Sequence, residues 1–194
     1  MPRTQVKMIM EIGGNVEQFA GEAVKKKVME GSEKITGSTS GTEVAHWVKG
    51  AMDRLNSLTD EETRTKIMEN CGFNCALHNK APLEKARIRR KKFKTLDDFL
   101  DAEQKKPMPG TRFSRDGDRL LWYFTPQSFR TPMRCFCGLL RALPQDETVS
   151  RTYCNCSRGF VKKYWEGVLG KPVDVDVLQT AVSGARECKF AIHI

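Results

Sequence analysis

Apolar residues recur at helical spacing through the first hundred positions. Val16, Phe19, Ala20, Ala23, Val24 and Val28 fall on one stripe, and Asn15 is placed to cap a helix running to about Gly31. A turn-rich stretch, Thr36-Gly37-Ser38-Thr39-Ser40-Gly41, precedes a second helix opened by Thr42, with Val44, Trp47, Val48, Ala51 and Leu55 on one side. Thr59-Asp60-Glu61-Glu62 reads as a capping box for a third helix over about 60–70. Thr95-Leu96-Asp97-Asp98 starts a short fourth, stopped by Lys106-Pro107-Met108-Pro109-Gly110.

Past that Pro/Gly cluster the period changes from helical to alternating. Residues 111–114 and 119–124 flank Arg115-Asp116-Gly117-Asp118, whose Asp-Gly step suits a tight hairpin. Residues 133–141 are read as a further strand. A helix follows over 157–169, with Phe160, Val161, Tyr164, Trp165 and Val168 inward and Gly170 as its stop signal. Val173, Val175 and Val177 then alternate with Asp174 and Asp176, and Cys188, Phe190, Ile192 and Ile194 alternate again after a turn at Ser183-Gly184. The expected fold class is α+β: a helical N-terminal region, 1–106, followed by a ligand- or metal-binding unit, 107–194, built from an antiparallel sheet with a packed helix.

Composition narrows the class. With 194 residues and 39% hydrophobic content, the chain is long enough for its own core. Residues 1–6 lack the apolar stretch of a signal peptide, and no run approaches the ~20 apolar residues that span a bilayer. The expectation is a soluble, cytoplasmic protein with no membrane association. The net charge of +9 is uneven: seven basic side chains and no acidic one lie between Lys85 and Lys94. That block suits phosphate contacts on nucleic acid or anionic lipid, through Arg89, Arg90 and Lys91 among others, or a plain solvated helix face or linker.

Seven cysteines carry the candidate chemistry. Four form two Cys-x-Cys pairs, Cys135 with Cys137 and Cys154 with Cys156; Cys71, Cys75 and Cys188 are further candidate ligands. In a reducing compartment disulfides are disfavoured, which leaves metal binding, redox chemistry and burial. Residues i and i+2 of a strand share a face, so Cys135 and Cys137 are able to point together at Cys154 and Cys156. Four thiolates would close a tetrahedral zinc site, with an iron–sulfur cluster as the alternative once Cys71 and Cys75 are counted. The histidines are His46, His78 and His193; only His78 stands near a cysteine in sequence, making Cys75–His78 the one candidate nucleophile–base pair. Trp122, Phe124, Tyr164 and Trp165 are either core or the lining of an apolar ligand cavity.

The cysteine-bearing turn Tyr153-Cys154-Asn155-Cys156-Ser157-Arg158-Gly159-Phe160, the strand entry Gly170-Lys171-Pro172-Val173-Asp174-Val175 and the closing run Gly184-Ala185-Arg186-Glu187-Cys188-Lys189-Phe190-Ala191-Ile192 resemble the C-terminal part of the 4-vinyl-reductase-type small-ligand-binding domain. Bacterial proteins described as 2-aminothiazoline-4-carboxylate hydrolase-like share this ending. The resemblance covers about residues 111–194. It implies an α+β fold with a pocket for a small, hydrophobic or aromatic molecule, and in some sensors a zinc held by cysteines, near which Cys154 or Cys156 and Cys188 fall. Val177-Leu178-Gln179-Thr180-Ala181 supplies neither the acid nor the cysteine those sensors use there, so that zinc pattern does not transfer intact. The leading expectation is a non-catalytic ligand-binding or sensory domain with a cysteine-bound structural zinc, its helical part serving as a lid, a homodimer surface or a partner contact. The alternatives are a hydrolase acting on C–N bonds of a small molecule and a nucleic-acid binder using 85–94.

Overall fold

The computed structural model describes residues 4–130 and 133–194; Met1, Pro2 and Arg3, which head the N-terminal stretch read above, lie outside the described residues. Among the described residues are seven α-helices and one four-stranded antiparallel sheet, so the chain is α+β. The helices α1 (Gln5–Ala20), α2 (Glu22–Val28), α3 (Gly41–Leu58), α4 (Glu61–His78), α5 (Lys80–Arg90) and α6 (Leu96–Lys105) precede the hairpin β1 (Thr111–Asp116) and β2 (Arg119–Phe124). Then come α7 (Asn155–Leu169), β3 (Asp174–Gln179) and β4 (Cys188–His193). None of the helices is long and apolar enough to cross a membrane.

The first helix starts earlier than its stripe suggests. Thr4 caps α1, Gly21 breaks the chain at φ 85°, and α2 continues separately. Asn15 therefore is no cap. It sits in mid-helix at 5% exposure, donating to Cys71 Sγ (3.0 Å) and accepting from Asn70 (2.7 Å). A buried amide satisfied on both sides belongs to a tertiary contact, which periodicity does not report. Ser40, not Thr42, caps α3, in a reciprocal capping box with Glu43. The helix at Glu61, capped by Asp60, runs through Cys71 and Cys75 to His78 rather than ending near 70.

The sheet order is β1-β2-β4-β3, and the register puts Phe113, Trp122, Phe190 and Val177 in a row across it. That row, with Leu120, Val175 and Ile192, packs under Val161, Tyr164, Trp165 and Val168 of α7. Gly117 at φ 62° makes the hairpin turn and Gly170 at φ 72° ends α7, conformations that cost other residues a Cβ clash.

The strand expected over 133–141 is absent: the described residues there form bends and turns. The organiser is Arg134, 6% exposed, whose guanidinium donates to the Gln145 carbonyl (3.2 Å), Gln145 Oε1 (3.3 Å) and the Glu147 carbonyl (2.7 Å). Its own N–H bonds the Arg141 carbonyl (3.2 Å), closing the loop on itself. Within the loop the Phe136 carbonyl accepts from Arg141 and the Cys137 carbonyl from the Leu140 N–H, so these backbone groups need no strand partner.

Two hydrophobic cores result, with α7 packed between them. One joins α1 to α4 with Leu139, Leu140, Leu143, Val149 and Val182; the other joins Ala86, Phe99 and Leu100 to the sheet. Both draw residues from either side of 106–107.

Candidate functional site: a thiol cluster around the start of the last long helix

Helices α4 and α7 make the most extensive helix–helix contact in the molecule, and two glycines set its distance. A Cβ on Gly72 would stand 2.0 Å from the Cys156 carbonyl oxygen, and one on Gly159 would stand 2.2 Å from that of Glu69. Each glycine thus faces the carbonyl three residues before the other, so the backbones touch where side chains would normally separate them. This crossing brings Cys71 and Cys75 of α4 against Cys156 in the first turn of α7.

The loop held by Arg134 supplies the next two thiols. Cys137 Sγ hydrogen-bonds the buried Tyr153 hydroxyl (3.0 Å), and the Cys137 N–H reaches Cys135 Sγ (3.4 Å). The last two converge on one turn: Ala181 N–H donates to Cys188 Sγ (3.3 Å), and Thr180 stands beside the Cys154 thiol. All four residues expected as a metal set, Cys135, Cys137, Cys154 and Cys156, lie in one neighbourhood with Cys71, Cys75 and Cys188. Among the described residues no three His, Cys, Asp or Glu side chains are arranged to hold an ion as they stand, so the thiols are neighbours without forming a closed ligand sphere.

Their electrostatics follow from that crowding. Burial pushes the Cys156 thiol well above its usual range, and the charges of Cys71, Cys137, Cys75 and Cys135 push it further. Burial does the same to Cys135, reinforced by Cys137, Cys154 and Cys188 and opposed by the Cys137 N–H. Cys135 and Cys156 keep some exposed surface as whole residues, but their thiols are enclosed. Cys154 is pushed up to about 12 by burial, against a hydrogen bond from Thr180 and the positive charge of Arg151. Burial likewise raises Tyr153, helped by Cys137, Cys156 and Cys135.

Two predictions arise here. In the metal-free protein Cys154 has a folded value near 12 against an ordinary 9.0. The folded state therefore holds its proton more tightly, and its contribution is complete below the unfolded value. As pH rises from there toward the folded value, stability should fall by about 1.4 kcal/mol per pH unit for each such thiol. Urea midpoints across the alkaline range, compared with those of Cys154→Ala, check this; identical slopes would refute it. Arg134→Ala should cost about 2–4 kcal/mol, because several carbonyls lose a charged donor at once. It should also speed alkylation of Cys135 and Cys137, followed by mass spectrometry.

The other candidate residues fare differently. Trp122, Phe124, Tyr164 and Trp165 pack on one another, with Trp122 centroids 4.9 Å from Phe124 and Tyr164 and 5.8 Å from Trp165. The space beside Trp122, Tyr164 and Trp165 is about 10 Å³, no more than one water's worth, although the buried Trp165 Nε1 has no hydrogen-bond partner among the described residues. His78 pairs with Glu11 (3.2 Å), His46 with Glu147 (2.7 Å) and His193 with Asp176 (2.8 Å). No described histidine hydrogen-bonds a thiol. Within the basic segment Arg89 makes a two-pronged bond to Glu103 (2.7 and 2.8 Å) and Arg90 donates to the Phe93 carbonyl, while Lys85, Arg87, Lys91, Lys92 and Lys94 are exposed.

Sequence reasoning missed Asn15, Gly72, Arg134, Tyr153 and Gly159 as supports of the cluster. Only the glycines left a signal, each being a helix-weakening residue close to a cysteine. No curated protein matches the chain. A family model matches residues 3–194, and the chain belongs to the family it describes, a family of unknown function (DUF6144).

Proposed function

We propose that this protein is a cytoplasmic small-ligand-binding or sensory domain built around a thiolate-bound metal, zinc in the first instance. The supporting observation is the convergence of seven cysteines from α4, the Arg134 loop, the start of α7 and β4 on one neighbourhood. Thiols this close repel one another on ionising, and a divalent cation reverses the sign of that interaction. Cys135, Cys137, Cys154 and Cys156 remain the proposed ligands, with Cys71 and Cys75 beside Cys156 and Cys188 beside Cys135 and Cys154 as further candidates. The resemblance of the last forty residues to small-ligand-binding domains supports the sensory part. Among the described residues each histidine's partner is a carboxylate and none is a thiol, which favours this reading over a thiol-dependent hydrolase, since that needs its base in contact with the nucleophile.

The test is elemental analysis of protein purified under reducing conditions without chelator. About one equivalent of zinc supports the reading. Iron with absorbance in the visible would replace zinc by an iron–sulfur cluster. Less than about a tenth of an equivalent of either, even after reconstitution, would remove the metal.

A further inference from the structure

The resemblance points to an apolar pocket, yet the aromatic cluster is filled. The sizeable cavity lies elsewhere, a groove of about 440 Å³ between the start of α4, the turn before α7 and β3. That volume suits a small metabolite. Arg64, Arg151 and Arg158 all line it, together with Asn155, Glu61 and Asp176.

Two of the guanidinium groups are fixed from behind. Arg158 Nε donates to the Val175 carbonyl (2.7 Å), and Arg64 Nη1 donates to the Thr59 carbonyl (2.9 Å). Arg158 Nε also lies 3.3 Å from Glu69 Oε1, but that oxygen accepts no hydrogen bond. Both Nη groups of Arg158, Nε and Nη2 of Arg64 and the whole Arg151 guanidinium make no hydrogen bond among the described residues, although Glu69 remains ion-paired with Arg158. Of the two acids, Asp176 is already held by His193 (2.8 Å). Three cations sharing one groove repel one another, and an oxyanion converts that repulsion into charge-assisted, two-pronged hydrogen bonds.

We propose that this groove is the protein's ligand site and that it binds a small molecule through a carboxylate or phosphate group held by Arg64, Arg151 and Arg158. The inference rests on the ligand-binding half of the function proposed above and is independent of the metal. It replaces an aromatic ligand class with an anionic one.

The test is calorimetric titration and thermal unfolding of the full chain with inorganic phosphate and with citrate, at ionic strength matched with chloride. Each titration is run on metal-loaded and on chelator-treated protein. Saturable binding of one of the anions, with a raised Tm, is expected, and the preferred anion tells a phosphate site from a carboxylate site. Arg151→Gln, at an exposed position, should weaken binding about tenfold, and Arg64→Gln similarly. Lys91→Gln, which removes the same charge at the C-terminal cap of α5, should leave it unchanged. Failure of both anions to bind, or equal weakening by Lys91→Gln, overturns the proposal. Anion binding that persists in chelator-treated protein upholds this site whatever the elemental analysis finds for the metal.

Discussion

Gly72→Ala should cost about 3–5 kcal/mol, enough to leave much of the protein unfolded at ordinary temperature. The methyl group would arrive 2.0 Å from the Cys156 carbonyl oxygen and 2.7 Å from the Phe160 nitrogen, and both are helix backbone. A flexible side chain can swing aside; a helix backbone moves only by shifting the whole of α7. Gly159→Ala presses on the Glu69 carbonyl at 2.2 Å and should be nearly as severe. The control is Gly14→Ala in α1, where a Cβ meets nothing within 4 Å. There the better helix former should stabilise by about 0.5–1 kcal/mol. Urea denaturation of the three variants separates close backbone contact from loss of glycine as such. Equal effects at Gly72 and Gly14 would refute the crossing geometry.

On the proposed metal reading, Cys156→Ser should abolish metal binding and lower the stability of purified protein to that of the chelated form. Its thiol is the one surrounded from both sides, by Cys71 and Cys75 on α4 and by Cys135 and Cys137 on the loop. An ion bound there ties three segments together, so its removal should loosen α7, α4 and the Arg134 loop at once. Structural zinc contributes on the order of 10 kcal/mol in small domains that depend on it, and a fraction of that is expected where two hydrophobic cores already exist. Cys188→Ser, at the far end of the thiol chain beside Ala181, should retain more metal. Metal content and Tm measured together decide the matter: unchanged metal in Cys156→Ser would exclude that residue from the centre.

The sequence was legible where one element answers to one period. The helix near 157–169, the hairpin around Gly117 and the final alternating strand all appear close to where hydrophobic spacing puts them. The cysteines were legible as a group because thiols at short spacing stand out by residue type. What failed was whatever depends on two segments meeting. The 133–141 stretch looks like a strand by composition, but a buried arginine at its start is anchored to the carbonyls of Gln145 and Glu147, and nothing local announces that. Asn15 looks like a cap because asparagine usually is one outside a helix. Its partners, Cys71 and Asn70, lie more than fifty residues away. The polar groove was missed for the same reason: Arg64, Arg151 and Arg158 share a wall only once α4 and α7 have packed.

The crossing of α4 with α7 also orders events during synthesis. The helix carrying Cys71, Gly72 and Cys75 leaves the ribosome long before Cys156 and Gly159 exist to cover it. At ordinary elongation rates that gap lasts several seconds, during which a nascent thiol face is open to oxidants and stray ions. Contacts so distant in sequence also close slowly, since the intervening chain must surrender its freedom first. Chains stalled before residue 156 should therefore be the form that oxidises and aggregates, and completion of the last helix is the step that puts those sulfurs out of harm's way.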